Sequence, residues 1–358
     1  MWIVWAMLLL SAVCSRTFFD PSQTPPISLS QQYIHAYAEK MALQRMAHSH
    51  SQDGHERGVL PRSVGHISVL YIGSPPPSQA QVAIAYAATL MNAFFAPSAD
   101  IVMGISWADL SGISVNLLGE GGSAGTCAHP NSASYPHVLI PSSLYVDLTG
   151  APNCPSSFVS YHGSISLNSN PPAPWYTGTL GVVPSTMIDL VTVTLHEMMH
   201  AMGFASFMEG DGTYPNAPYG FIFDWYLFSS TNNGWPASFL HPVSSPAITD
   251  ISVLTNSVTF NGSVTAGGIS SFDVYTPSTF ASGTSLSHVK PSSSIINRLM
   301  FPSIGHGQAW HNIGADVWVA METMGYNMQP YVDLYNVTSI TANGCTTCAS
   351  DRIFSFWE

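Results

Sequence analysis

The residues of this chain whose types and spacing are best suited to carry out chemistry are His196-Glu197-Met198-Met199-His200, an H-E-x-x-H pattern. On a helix, residues four positions apart lie on one face, so both imidazoles can bind the same ion. Zn²⁺ accepts neutral imidazole nitrogens, and a catalytic zinc keeps three protein ligands and one open position. Glu197 is placed to take a proton from water at that position and pass it to a leaving amine. The motif predicts a zinc site with Glu197 as general base.

The run from Thr186 to Phe204 is predicted to form the helix that carries this motif. Thr186 followed by Asp189 forms a capping-box pattern, and Gly203 supplies a C-terminal stop. The alternative is an ordinary core helix whose two histidines are satisfied by hydrogen bonds. Two histidines and a glutamate in a nearly uncharged apolar helix are costly to bury without a function. The metal site is therefore the preferred interpretation.

Composition limits the classes of partner. The chain has 358 residues, with 8 Lys and Arg against 20 Asp and Glu and a formal net charge of −12. This length suggests one large domain or two ordinary ones, and so few cations exclude a nucleic acid as partner. The predicted partners are protein or peptide substrates. No stretch reaches the length of a membrane span, so membrane contact is expected to be peripheral at most.

The N-terminus predicts export. Residues 1–15 begin with a short apolar run and end in small residues, which is typical of a secretory signal peptide. A membrane anchor is the alternative, but about 13 apolar residues are too few to span a bilayer comfortably. Residues 16–65 are rich in Pro, Gln, Ser and His and are predicted to be a prosegment or linker. The predicted location is secreted or extracellular.

Four cysteines remain after the signal peptide. An even number in an exported chain favours disulfide bonds, and the preferred pairing joins Cys127 to Cys154 and Cys345 to Cys348. The second pair would close a C-terminal tail of residues 331–358. Asn261 and the Asn-Val-Thr later in the chain are glycosylation sequons, relevant in a eukaryotic cell.

Residues 66–330 are predicted to form one α+β catalytic domain, because a helix lies among several strands before the H-E-x-x-H helix. Glycine-rich residues 119–125 are interpreted as a turn. The predicted strands are 66–72, 100–107, 112–118, 138–140, 145–148 and 163–168, and the predicted helix is 78–95.

The third metal ligand is the open question. In metzincins the motif extends to H-E-x-x-H-x-x-G-x-x-H, followed by a methionine turn. Here the glycine is present as Gly203, but Ser206 occupies the position of the third histidine. The ligand must then come from further along the chain. The candidates are Glu209, Asp211, Asp224, His241, His288, His306 and His311.

A later segment narrows this choice through a resemblance. Ser285-Leu-Ser-His288 is followed by Leu299-Met300-Phe-Pro-Ser and by a predicted helix ending at Gly325-Tyr326. This order resembles the leishmanolysin-like metzincins, in which an insertion separates the glycine from the third histidine. The resemblance implies that His288 is the third zinc ligand and that Met300 forms the apolar floor beneath the metal.

The same resemblance implies a fold. We expect a metzincin-like zincin with a twisted mixed sheet and the active-site helix in an N-terminal subdomain. A more irregular C-terminal subdomain would carry the Met-turn. Ile165–Tyr176, with Asn168 and Trp175, would be the edge strand that pairs with an extended peptide. Phe223-Asp224-Trp225 would be an aromatic-acid-aromatic segment of the insertion with a structural role. One of His306 and His311 is a weaker candidate for substrate contact, against a role as solvated loop residues.

The predicted function is a secreted zinc-dependent endopeptidase with His196, His200 and His288 as ligands and Glu197 as base. Two alternatives stay open. One is a zinc hydrolase acting on a non-protein substrate. The other is a secreted adhesion or binding protein that kept a metzincin scaffold but lost turnover, an idea prompted by Ser206 in place of the third histidine.

Overall fold

The structure is a computed structural model that describes residues 65–135, 137–155, 159–214, 219–229, 254–255, 257–292 and 299–331. The predicted signal peptide, residues 16–64, His241, the Cys345–Cys348 pair, the sequon at Asn336 and nearly all of the C-terminal tail lie outside the described residues. Those assignments therefore stay predictions.

Helices and strands are mixed along the chain, which confirms the α+β class. The strands are β1 (Ile67–Tyr71), β2 (Ile101–Ala108), β3 (Gly119–Ser123), β4 (Thr126–Ala128), β5 (Val138–Pro141), β6 (Gly163–Asn168), β7 (Trp175–Tyr176), β8 (Ile188–Asp189), β9 (Gly220–Phe221), β10 (Leu227–Ser229), β11 (Val258–Ala266) and β12 (Ile269–Asp273). The helices are α1 (Ser78–Phe94), α2 (Ser142–Thr149), α3 (Leu190–Ala201), the four-residue α4 (Ile222–Trp225) and α5 (Gly314–Met324).

The largest sheet has four strands in the order β1-β2-β6-β3. β1, β2 and β6 are parallel, and β3 runs antiparallel to β6 at one edge. Helix α1 connects β1 to β2 and packs against β1 and α3, while α3 packs against β3 and β6. The H-E-x-x-H helix therefore lies over the edge of the sheet that ends in β3.

The C-terminal half contributes a second sheet and the last described helix. β10, β11 and β12 form an antiparallel sheet, and α5 packs against β11 and β12. A chain of aromatic rings connects this sheet to the segment that follows α3. Ring centroids lie 4.8 Å apart for Phe204 and Phe223, 5.0 Å for Phe223 and Phe260, and 5.2 Å for Phe260 and Phe272. One continuous apolar core thus joins the two halves.

Buried polar side chains tie the end of α5 back to the N-terminal half. Asp147 in α2 accepts hydrogen bonds from the backbone N–H of Ser98 at 2.8 Å and from the backbone and side chain of Asn327 at 2.8 and 2.6 Å. Tyr326 donates its hydroxyl to the carbonyl of Met202 at 2.7 Å. The C-terminal end of α3 is therefore fixed by a residue more than a hundred positions away.

Three predicted elements are wrong. The predicted strand 112–118 is a series of turns, and the predicted glycine-rich turn 119–125 contains the edge strand β3. Residues 145–148 lie in helix α2, which Gly150 ends in the left-handed conformation at φ 69°. Eight residues are too few for a helical period to stand out from an alternating one.

The predicted substrate-pairing edge strand, Ile165–Tyr176, is wrong in its first part. β6 covers the first part of Ile165–Tyr176 and is an interior strand between β2 and β3, whereas Trp175–Tyr176 is β7, which pairs with β8 in a separate two-stranded sheet. The side chain of Asn168 is fully buried, accepts a hydrogen bond from the N–H of Leu110 at 3.1 Å and donates one to the carbonyl of Leu117 at 2.6 Å. The indole of Trp175 donates to the carbonyl of Asn168 at 2.8 Å. These residues hold the loop before β3, and the edges of the four-stranded sheet are β1 and β3.

A disulfide joins Cys127 in β4 to Cys154 beyond α2, which confirms the first predicted pairing. The two cysteines are 27 positions apart, and the carbonyl of Pro152, two residues before Cys154, is 3.0 Å from Nε2 of the buried His162. Asn261 is exposed in β11, as a sequon requires. None of the described helices has the length and apolar character needed to cross a bilayer.

His162 acts as a neutral bridge between β2 and this disulfide-bonded segment. Its Nδ1 accepts the N–H of Val102 at 2.9 Å, so the ring proton must be on Nε2, which donates to the carbonyl of Pro152 at 3.0 Å. Burial lowers the pKa of His162 below its ordinary value. Folding then excludes a proton that the unfolded chain would bind. The contribution of His162 to stability is complete above the unfolded pKa, near 6.5, and is lost as the pH falls toward the lower folded pKa.

We predict that His162→Asn, which keeps an acceptor close to the Nδ1 position, weakens this pH dependence. The variant should lose about 1–3 kcal/mol of unfolding free energy at pH 7.5, because the carbonyl of Pro152 loses its donor. Between pH 6.5 and 5 its stability should fall less steeply than that of the wild type. Urea unfolding across this range measures both, with exposed His66→Asn as the control. Parallel pH profiles for wild type and His162→Asn would contradict the assignment.

Candidate metal centre

Helix α3 begins at a buried polar cap. The carboxylate of Asp189 accepts hydrogen bonds from the backbone N–H of Thr192 at 2.9 Å and from its hydroxyl at 2.6 Å. This is the ordinary N-cap arrangement, three residues later than the predicted start at Thr186. His311 also donates to Asp189 at 2.7 Å, and the N–H of Trp310 donates to the hydroxyl of Thr192 at 2.7 Å. His311 is thus a buried structural residue rather than a solvated one.

The helix ends where the sequence predicts. Gly203 has φ 96°, a left-handed conformation that a side chain would strain, and it turns the chain sharply away from the helix axis. The turn brings the carbonyl of Phe204 back to the Nδ1 of His200, at 2.7 Å. The glycine of the motif therefore has a direct effect on the second histidine, because it places that ring's hydrogen-bond acceptor.

His288 reaches the helix from a loop in the C-terminal half. Its Nδ1 is 2.9 Å from the carbonyl of Thr284, and its neighbour Ser287 accepts a hydrogen bond from the N–H of Ser206 at 3.0 Å. Ser206 occupies the place of the third histidine in the compact motif. The hydrogen bond between Ser206 and Ser287 thus holds the loop that brings His288 to the helix.

The three histidines form one compact group. The Nε2 atoms of His196 and His200 lie 3.0 Å apart, and that of His288 lies 3.3 Å from each of them. All three side chains are buried, with exposed fractions of 0–1%. Three nitrogens that bind one tetrahedral ion at 2.0–2.1 Å are separated by about 3.3 Å. The group could therefore hold a metal ion.

The second nitrogen of each ring fixes its protonation. The Nδ1 atoms of His196, His200 and His288 lie 2.6, 2.7 and 2.9 Å from the carbonyls of Leu299, Phe204 and Thr284. A carbonyl can only accept, so each Nδ1 must carry the proton and each neutral ring presents an Nε2 lone pair. Three lone pairs then face one point, which is unfavourable unless a cation lies there. This is the orientation that metal-binding histidines adopt.

Electrostatics favours the same neutral state. Burial, followed by repulsion from His200 and His288, lowers the pKa of His196 well below its usual value. Burial and His288 lower the pKa of His200 in the same way, and burial lowers the pKa of His288 to about 4. Neutral imidazoles at physiological pH are ready to bind a metal without releasing protons.

Glu197 lies on the same helix, next to the first histidine, and is fully buried. Among the described residues, neither of its carboxylate oxygens has a hydrogen-bond partner. Burial, and secondarily the charge of Glu120, raises the pKa of Glu197 well above its usual range. An unpartnered buried carboxyl group is expensive to maintain, which marks Glu197 as a residue kept for more than packing.

The other candidates from the sequence do not join the group. Among the described residues, the only group of three or more His, Cys, Asp or Glu side chains that could hold an ion is His196, His200 and His288. Asp224 is buried and accepts a hydrogen bond from the N–H of Phe207 at 3.1 Å, so it holds the chain after α3, and burial raises its pKa to about 7. Glu209, Asp211, His306 and His311 also lie outside the group.

The segment that contains Leu299 and Met300 meets the centre through its backbone. The carbonyl of Leu299 faces His196, and the carbonyl of Met300 accepts the N–H of Val289 at 2.8 Å, beside His288. Met300 is buried, and its assignment as the floor of a metal site stays an expectation from the resemblance. The acceptor carbonyls of Leu299, Phe204 and Thr284 were not predicted, because a backbone atom leaves no signal in side-chain identity.

We predict about one metal ion per purified chain and a nearly complete loss in His288→Ala, because two ligands on one helix hold an ion far more weakly than three. Elemental analysis after dialysis measures the content. The matched control is His137→Ala, because His137 is exposed and does not belong to the histidine group. This variant is expected to keep the metal content of the wild type. Equal metal content in wild type and His288→Ala would remove His288 from the ligand set.

Comparison of the chain with protein-family models, with curated proteins and with solved structures finds no match. The geometry of the centre is therefore the basis for assigning a function.

Proposed function

We propose that this chain is a secreted zinc-dependent endopeptidase of the metzincin type. The observation that carries the proposal is the convergence of three neutral Nε2 lone pairs, within 3.0–3.3 Å of one another, beside a buried carboxyl group that has no described partner. Structural zinc sites use four protein ligands, whereas hydrolytic ones use three and keep a position for water. Three histidines with an adjacent glutamate fit the second kind.

Zinc is the metal that we assign to His196, His200 and His288. A set of three imidazoles with no carboxylate or thiolate is typical of zinc, while magnesium and calcium prefer oxygen ligands. When bound, zinc would polarise a peptide carbonyl and lower the pKa of water in its open position. The chain's contribution is to hold three rings rigidly through the carbonyls of Leu299, Phe204 and Thr284.

Glu197 is assigned the role of general base and then general acid. Its carboxylate takes the proton from the attacking water and delivers it to the departing nitrogen of the peptide bond. In the protein without a cation, burial favours the protonated form of Glu197. A cation held by the neighbouring histidines would favour the carboxylate again, so the base becomes available when the site is loaded.

The edge of β3 is the place that we assign to the peptide substrate. β3 pairs with β6 on one side only, among the strands that the structure describes, and an edge strand offers backbone groups to an extended chain. β3 also packs directly against α3 at Glu197. A peptide that paired with this edge would have its backbone beside the proposed centre, which favours a protein substrate over other substrates of zinc hydrolases.

We predict that Glu197→Gln lowers kcat for a peptide substrate by about 10²–10⁴-fold while the zinc content stays at the wild-type level, because the amide keeps the shape but cannot accept the proton. Cleavage of a fluorogenic peptide library and zinc analysis measure the two effects. Glu209→Gln removes a carboxylate outside the histidine group and should keep both activity and zinc. Full peptidase activity in Glu197→Gln would refute the proposed mechanism.

A further inference from the structure

The face of the main sheet beneath α3 carries glycines at the points where the helix approaches most closely. Gly119 and Gly121 in β3 pair with Leu167 and Ile165 of β6, so all four residues share one face. Gly163, at the start of β6, is on the same face, where an added Cβ would lie 2.7 Å from the side chain of Ala201. Residues 197 and 201 are one turn apart on α3, so one face of the helix packs against all three glycines.

The two glycines of β3 meet different parts of Glu197. A Cβ at Gly121 would lie 2.2 Å from the backbone oxygen of Glu197 and 2.9 Å from its Cα, which no small adjustment can relieve. A Cβ at Gly119 would lie 3.0 Å from Cγ and 3.2 Å from Oε1 of the same residue. Those are contacts with a side chain, which can move by a few tenths of an ångström. Gly121 therefore sets the distance from helix to strand, and Gly119 faces the carboxyl group itself.

We propose that Gly119 is a positioning residue for Glu197. Its missing side chain leaves the carboxyl group free to reach both water and the leaving nitrogen, and this inference rests on the proposed function of Glu197. The buried carboxyl group with no described partner and the absent Cβ beside it are two independent observations that point to the same volume. Glycine weakens an ordinary strand, so its presence at this position needs such a reason.

Gly119→Ala tests the inference in catalysis. The added methyl group should displace the carboxyl group while leaving the histidines in place, so zinc content stays at the wild-type level. A displacement of this kind lowers kcat by about 10–100-fold with little change in KM, since the substrate's own contacts are kept. Gly112→Ala is the control, because Gly112 lies in an exposed turn outside β3 and no heavy atom lies within 4 Å of its added Cβ. Equal kcat values for the two alanine variants would overturn the inference.

A second readout does not depend on activity. Gly119→Ala is expected to lower the Tm of the metal-loaded protein by roughly 2–4 °C, and most of this cost should disappear in a Glu197→Ala background, where Cγ and Oε1 are absent. The part due to the carbonyl of Ser166, 3.2 Å from the same Cβ, should remain. Gly121→Ala, which meets the backbone of Glu197, should be costly in both backgrounds. An unchanged cost of Gly119→Ala in the Glu197→Ala background would overturn the proposed contact.

The two readouts separate the inference from the function on which it rests. If the wild type binds zinc but cleaves no peptide, the proposed endopeptidase function fails, and the double-mutant cycle still decides whether Gly119 determines the position of Glu197. If the wild type is active and Gly119→Ala matches Gly112→Ala in kcat, the function stands and the positioning role is wrong.

Discussion

The convergence of three imidazole lone pairs on one point is the constraint on which the rest of this structure depends. Each ring is turned by a backbone carbonyl that can only accept a hydrogen bond, so none of the three can present a proton to the others. The carbonyls belong to the turn after the helix, the loop of His288 and the segment at Met300. Three separate regions must therefore be placed correctly before the centre exists.

Buried polar contacts at both ends of α3 meet that requirement. At the beginning of the helix, His311 and Trp310 bond to the cap formed by Asp189 and Thr192. At its end, Tyr326 bonds to the carbonyl of Met202. Both sets of partners come from the C-terminal half, which also supplies His288. The helix is thus held between two fixed points, and two of the three ligands, His196 and His200, lie between them on a rigid element.

The sequence was most informative where side-chain identity and spacing carry the chemistry. The H-E-x-x-H helix, its end at Gly203 and the grouping of His288 with the two helical histidines could all be predicted. The edge strand could not, because Gly119–Ser123 contains none of the β-branched or aromatic residues that signal a strand. Its glycines are required by the close approach of helix α3, which lies about 70 positions later in the sequence. The buried role of His311 was missed for the same reason, since its partner Asp189 lies 122 positions earlier.

The distance along the chain between His200 and His288 is 88 positions, yet their nitrogens lie 3.3 Å apart. Closing a loop depends only on the logarithm of its length, so making this stretch a quarter longer would cost about 0.2 kcal/mol in chain entropy. Chain entropy therefore places almost no limit on the number of residues between the second and third histidine. The four-residue step from His196 to His200, in contrast, is fixed by the pitch of a helix. A fixed-interval search for such a centre can rely on the helical pair and must leave the distance to the third histidine open.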